Sequence, residues 1–139
     1  MIEEDYVSVE TARLLKEKGF DEEVKSYYSY DSEFKIYDFQ EDDRWDTPND
    51  WGEYYLSAPT LQMVRKWLKE KHHLHIEIRI TNNSISGMVN IVKYYWVMCD
   101  TETGRWCDES TVYTVKVFDK SEQAEEDAIR HALEKRITD

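Results

Sequence analysis

The stretch SAPTLQMVRKWLKEKHHLHIEIRI, residues 57–80, changes hydrophobic period halfway along, and that change decides the fold class. In its first part Leu61, Val64, Trp67 and Leu68 recur at helical spacing. Ser57 or Thr60 can cap the helix, and Pro59 stands where a missing N–H costs least. Arg65, Lys66, Lys69 and Lys71 occupy much of the remaining surface. From Leu74 the period becomes two: Leu74, Ile76, Ile78 and Ile80 fall on one face, and His75, Glu77 and Arg79 on the other. A helix therefore runs directly into a strand with one apolar and one polar face.

Downstream, NNSISG reads as a turn, and MVNIVKYYWVMC at 88–99 is apolar on both faces, which suits a central strand covered on both sides or an aromatic outer surface. DTETGRW reads as a hairpin connection. VYTVKVF at 112–118 is the third strand, with Tyr113, Val115 and Val117 on one face. In DKSEQAEEDAIRHALEKRI, Asp119 and Glu122 can form a capping box, and Ala124, Ala128, Ala132 and Leu133 form a narrow apolar stripe. Upstream, Ser8 caps a short helix that Gly19 ends, with Phe20 folding back on the last turn. YYSYDSEFKIYDF at 27–39 and GEYYLSA at 52–58 are rich in β-favouring residues and are expected to pair antiparallel, with EDDRWDTPNDW at 41–51 as a surface loop. The expected fold is α+β: an N-terminal helix and hairpin, then α-β-β-β-α. Its antiparallel sheet carries helices mainly on one face, in a single domain over residues 1–139.

Composition narrows the function classes. The chain has 139 residues, 40% hydrophobic and 14% aromatic, enough apolar surface to fold without a metal or disulfide. It begins MIEEDY, without the basic start and apolar run of a signal peptide, and its apolar runs are shorter than a membrane span, so a cytoplasmic setting is expected. In that setting Cys99 and Cys107 are expected to be free, buried thiols, although they could face each other across two strands. The net charge of −12 opposes nonspecific binding to nucleic acid or anionic membranes. It is unevenly spread: residues 1–58 carry 17 acids and 6 bases, whereas residues 59–99 carry 2 acids and 6 bases.

No G-x-S-x-G, P-loop or G-x-G-x-x-G occurs, no cofactor motif is present, and no catalytic residue is assigned. On a strand His73 and His75 would point the same way, with Glu77 as the nearest further ligand, but two ligands do not make a metal site. The loop acids Asp42, Asp43, Asp46, Asp50 and Glu53 lack EF-hand spacing: counting from Asp42, the third position is Arg44 and the sixth is Thr47. The basic helix, His75 and Arg79 on the outer strand face and the aromatics Tyr94, Tyr95 and Trp96 could form a cationic and aromatic platform. Against this, the aromatics could pack under the N-terminal hairpin and the bases merely balance charge. Helix-strand-strand-strand-helix is also the order of double-stranded RNA-binding domains, but the final helix here begins with acids.

The run YLSAPTLQMVRKWLKEKHHLHIEI at 55–78, together with the terminal helix EQAEEDAIRHALEKRI, resembles a family of small uncharacterised proteins of gut Bacteroides-type bacteria and their phages and prophages. The resemblance is carried by Ala58-Pro59-Thr60-Leu61, Trp67-Leu68 and the His72 to Ile76 segment. It spans residues 6–20 and 55–137 loosely, and the loop at 40–53 departs from it. It implies a bacterial or phage cytosolic setting and brings no activity with it.

The expected function is a non-enzymatic accessory or protein-interaction module whose partner is another protein. Candidate binding residues are Arg65, Lys69, His73, His75, Arg79 and Tyr95. The alternatives are an acidic nucleic-acid mimic that inhibits a DNA-binding enzyme and a metal-dependent hydrolase using the His73/His75 face.

Overall fold

The computed structural model describes residues 5–40, 44–85, 89–110 and 117–137, with the side chains of residues 82–85 and 89–91 left aside. It is an α+β fold with two antiparallel three-stranded sheets. The chain divides into two compact units: Val64–Ala132 forms one, and the chain up to Met63 forms the other together with the residues from Leu133 onward.

In the first unit, helix α1 (Val9–Glu17) starts where Ser8 Oγ accepts the Thr11 N–H at 3.3 Å. It ends in a Schellman turn: Gly19 takes φ +85°, its N–H donates to Lys16 O, and the Phe20 N–H reaches Leu15 O at 2.9 Å. Phe20 is buried, as a side chain folded back on the last turn should be.

The segment expected to be one partner of a hairpin is a hairpin in itself. Strands β1 (Ser26–Asp31) and β2 (Glu33–Asp38) pair from Ser26↔Asp38 to Asp31↔Glu33. The chain reverses at Ser32, which takes φ +66° without being glycine. The short strand β3 (Tyr55–Ser57) then pairs with the other side of β1, giving the order β2-β1-β3.

The loop between β2 and β3 is tied down rather than free. Val24 and Asp46 exchange backbone hydrogen bonds, and Pro48–Asp50 forms a 3-10 turn with Pro48 buried. Asn49 holds the turn in place: its amide donates to Phe20 O at 3.0 Å, its Oδ1 accepts the Ser57 N–H at 2.8 Å, and its own N–H donates to Ser57 Oγ. Ser57 is occupied in this way, and Thr60 is the residue that caps the next helix, accepting the Met63 N–H at 3.2 Å.

Helix α2 (Leu61–His72) buries Leu61, Val64, Trp67 and Leu68, the stripe read from the sequence. In the second unit β4 (Leu74–Ile85), β5 (Val89–Asp100) and β6 (Arg105–Glu109) form a sheet in that order. The strand read as LHIEIRI continues through the segment taken as a turn, to Ile85. Its apolar face is covered only in part: Leu74 and Ile76 are buried, Ile78 is half-buried, and Ile80 is 63% exposed.

The connection after β5 is a tight turn. Asp100 Oδ1 accepts the Glu102 N–H, and Gly104 takes φ +72° as its N–H returns to Asp100 O. Arg105, Trp106 and Cys107, read partly as connection and partly as the residue beyond it, begin β6. A bulge between Met98 and Cys99 puts Cys99 opposite Trp106 and leaves Cys107 out of register with it. Neither cysteine is in a disulfide, and both are half-buried rather than fully buried. Most of the strand read at 112–118 lies outside the described residues; its end, Phe118, forms a bridge with Tyr94.

Helix α3 (Ser121–His131) follows, with Gln123 Oε1 accepting the Lys120 N–H. Asp119, the expected cap, instead forms an ion pair with Lys93, and that cation holds its carboxyl below the usual range. Ala124, Ala128, Ile129, Ala132 and Leu133 are fully buried, the last two in a π turn over Ala132–Arg136.

Candidate binding surface

In an antiparallel sheet, register partners point to the same side, so the pairing assigns each candidate residue to a face. On β4–β5 one face carries His75 opposite Cys99, Glu77 opposite Val97, and Arg79 opposite Tyr95. The other carries Ile76 opposite Met98, Ile78 opposite Trp96, and Ile80 opposite Tyr94. Tyr94 and Trp96 are therefore not neighbours of Arg79 on a shared platform. Trp96 is buried and bonded to α3: its indole N–H donates to Asp127 Oδ2 at 2.8 Å, and its ring lies 4.8 Å from that of His131. His131 in turn meets Asp108 of β6 at 2.8 Å. Around Trp96 this face is core: of the aromatics expected on a binding face, or under the hairpin, Trp96 packs here beneath α3.

Arg79 and Tyr95 are brought together on the polar face. The Arg79 guanidinium donates to Glu77 at 2.7 Å and lies 4.9 Å above the Trp106 ring. Its bonds to Glu77 and Tyr95 raise its pKa further above the ordinary guanidinium value. Such a cation is already neutralised and stacked.

Arg65 is spent internally: it donates to Ile76 O at 2.5 Å on β4, which is an edge strand among the described residues, and it pairs with Glu125 of α3 at 3.4 Å. Lys69 is exposed on α2.

His73 is not on the strand. It occupies the position after α2 with φ +56°, its carbonyl accepts the Thr101 N–H, and its ring faces Glu102 at 3.4 Å. His75 lies on β4 opposite Cys99. The expected geometry, two histidines side by side on one strand face, does not form, because the chain leaves the helix through a left-handed residue. Among the described residues no three His, Cys, Asp or Glu side chains gather as a metal-ligand set.

The loop acids are engaged locally. Asp46 accepts the Thr47 N–H at 2.8 Å and a bond from Arg44, which together hold its carboxyl below the usual range. Asp50 accepts from Thr47 Oγ1, and Asp42 and Asp43 lie outside the described residues.

A further exposed aromatic surface lies on the β2-β1-β3 sheet. Register puts Tyr27, Tyr37 and Tyr55 on one face, and the ring centroid of Tyr27 lies 5.8 Å from Tyr37, 5.2 Å from Phe39, 5.3 Å from Trp51 and 6.3 Å from Tyr55. Trp51 meets Phe39 and Tyr55 edge-on, at 5.8 and 5.4 Å. Five rings in these offset and edge-to-face arrangements form a cluster that holds itself together. It is only partly covered: Tyr37 is 45% and Trp51 37% exposed.

Cations already stand on its margin, with the Arg44 guanidinium 4.6 Å above Phe39 and the Lys25 ammonium 5.2 Å above Trp45. The opposite face of the same sheet is structural: Leu56 is buried and the Tyr28 hydroxyl donates to Val7 O at 2.6 Å.

Sequence reasoning missed this surface because Trp51 comes from a segment with no periodicity. The i, i+2 placement of Tyr37 and Phe39, which puts both rings on one side of an extended segment, was the available signal.

Comparisons with known proteins found no matching family model, no matching curated protein and no matching solved structure. No helix among the described residues is long and apolar enough to cross a membrane.

Proposed function

We propose that this chain is a non-enzymatic protein-binding module that engages another protein through the aromatic face of the β2-β1-β3 sheet. The carrying observation is the five-ring cluster around Tyr27, which leaves Tyr37 and Trp51 well exposed beside it. Rigid, amphipathic rings of this kind give large contact area at low conformational cost, which is why aromatic residues are enriched where proteins meet. The bases first considered as the contact surface support the reading less well, since Arg65 and Arg79 are held by Ile76, Glu125 and Glu77. A bacterial or phage accessory role fits the resemblance carried by residues 55–78, and the acid-rich N-terminal part suits a cytoplasmic protein that avoids nucleic acid.

A photo-crosslinking residue placed at position 37 tests the reading. It is expected to capture a discrete partner in a bacterial host, whereas the same residue at position 69 or 79 captures none. Crosslinking from 69 or 79 but not from 37 would return the contact surface to the basic helix and overturn the reading.

A further inference from the structure

The inference rests on the reading just given and names what binds. Along β1 the hydrogen-bonding direction alternates. The Tyr30 N–H donates to Tyr54 O, and Ser26 O accepts from Ala58, so the even residues of β1 turn toward the β3 side. On the other side Phe39 N–H donates to Lys25 O, so the odd residues of β2 turn inward to β1. In an antiparallel ladder this alternation leaves the N–H and C=O of Phe34, Ile36 and Asp38 directed away from the sheet. Strand β2 is an edge strand, and no described strand pairs with its outer side.

The charge around this edge is mainly acidic, and the one base on β2, Lys35, is paired with Glu33 at 3.9 Å. Residues 1–58 carry 17 acids against 6 bases. Asp21, Glu22, Glu23, Asp31, Glu33 and Asp38 are all exposed on or just before the hairpin. Three of the bases in the region, Arg13, Lys25 and Arg44, already lie over aromatic rings.

We infer that β2 accepts an extended, arginine- or lysine-bearing segment of a partner protein as an added strand. Main-chain groups of the segment pair with Phe34, Ile36 and Asp38. Its alternate side chains fall on the Tyr37 face, where a guanidinium can lie on the exposed ring as Arg44 lies on Phe39. Acids at the hairpin tip, where Asp31 opposes Glu33, attract the bases between them.

The probe is a peptide alternating arginine and valine, compared with one alternating glutamate and valine. The first is expected to bind, to weaken steeply with salt, and to slow hydrogen exchange at the Phe34, Ile36 and Asp38 amides. The second is expected not to bind.

Ile36→Pro removes an outward N–H without touching the bonds to β1, a position where an edge strand tolerates proline. It is expected to weaken the peptide about tenfold, the size of one lost hydrogen bond. Tyr37→Ala is expected to weaken it about threefold, the size of one exposed cation–π contact. Circular dichroism establishes that each variant is folded, and should Ile36→Pro unfold, amide protection and Tyr37→Ala decide the matter.

Equal binding of both peptides, or full binding to folded Ile36→Pro, overturns the inference. So does binding of a neutral oligosaccharide, abolished by Tyr37→Ala, in place of the peptide. Capture of a partner from position 37 that presents no basic extended segment would overturn the inference and leave the proposed function standing. Absence of any capture from position 37 would remove the proposed function itself.

Discussion

The α3-covered face of the β4-β5-β6 sheet and the ring-bearing face of the β2-β1-β3 sheet use their large aromatic residues in opposite ways. In the β4-β5-β6 sheet, Trp96 is buried, its one polar atom is bonded to Asp127, and its ring lies beside His131. In the β2-β1-β3 sheet, Tyr27, Tyr37, Phe39, Trp51 and Tyr55 pack mainly on one another, and two of them remain well exposed. A helix laid over a sheet turns an aromatic residue into core, while a short loop laid over a sheet leaves it as surface. The same residue types are therefore buried beneath a helix on one sheet and left partly exposed on the other.

The sharpest way to break this contrast is to truncate one tryptophan from each sheet. Trp96→Ala removes a filled core position and the indole N–H bond to Asp127, and is expected to cost about 4 kcal/mol in urea unfolding. Trp51→Ala is expected to cost about 1 kcal/mol, since much of its ring already meets water. Equal losses would mean that the ring cluster around Tyr27 is a second core rather than a surface.

The loop offers the next largest effect. Asn49→Ala removes the bonds that link the 3-10 turn to Phe20 O and the Ser57 N–H, at a cost of about 2 kcal/mol. A loss near zero would show that the loop is held by Trp51 and Pro48 alone.

At the turns the expected sign reverses. His73 holds φ +56° and Ser32 φ +66°, conformations that glycine adopts without the steric penalty of a Cβ. His73→Gly is expected to gain about 0.5 kcal/mol, read as a higher urea midpoint. A loss would give the His73 contact with Glu102 more weight than its exposure allows.

The smallest effect is a pH dependence. Burial, with the neighbouring His73 as a lesser cause, lowers the pKa of His72, whose ring lies 4.7 Å from that of Trp67. The unfolded chain then takes up the proton first as pH falls. The stability tied to this group is fully present above the ordinary histidine pKa and is lost as pH drops from there toward the lowered value. Between neutral and mildly acidic pH, the wild type is expected to lose slightly more thermal stability than His72→Gln. Parallel curves would deny His72 this role.

The parts of the fold legible in the sequence are those where local chemistry and period agree. Ser8 and Gly19 mark the ends of α1, the stripe from Leu61 to Leu68 marks α2, and the alternation from Leu74 marks β4. The β1–β2 hairpin was hidden because its reversal falls on Ser32, with neither glycine nor asparagine to announce a left-handed residue. Strand β6 was hidden because Arg105–Glu109 is short, polar and without alternation, and is made a strand by its pairing with β5.

The candidate residues fared according to how far each depends on its neighbours. Arg79 and Tyr95 meet because register alone puts them opposite each other. His73 departs from the expected strand face because one backbone angle, invisible in the sequence, separates helix from strand. The aromatic surface needed residues from β1, β2, β3 and the loop between them, and only tertiary structure collects them.

The outward carbonyl of Ile76 is already capped by Arg65, whereas no described strand covers the outer side of β2. What keeps copies of this chain from zipping together along β2 is then chiefly their mutual repulsion, supplied by a net charge of −12. That protection vanishes near the isoelectric point of about 4.7. Acidification or concentrated salt is therefore expected to convert a clear solution into cross-β aggregates seeded from residues 33–38, and Ile36→Pro would delay their onset.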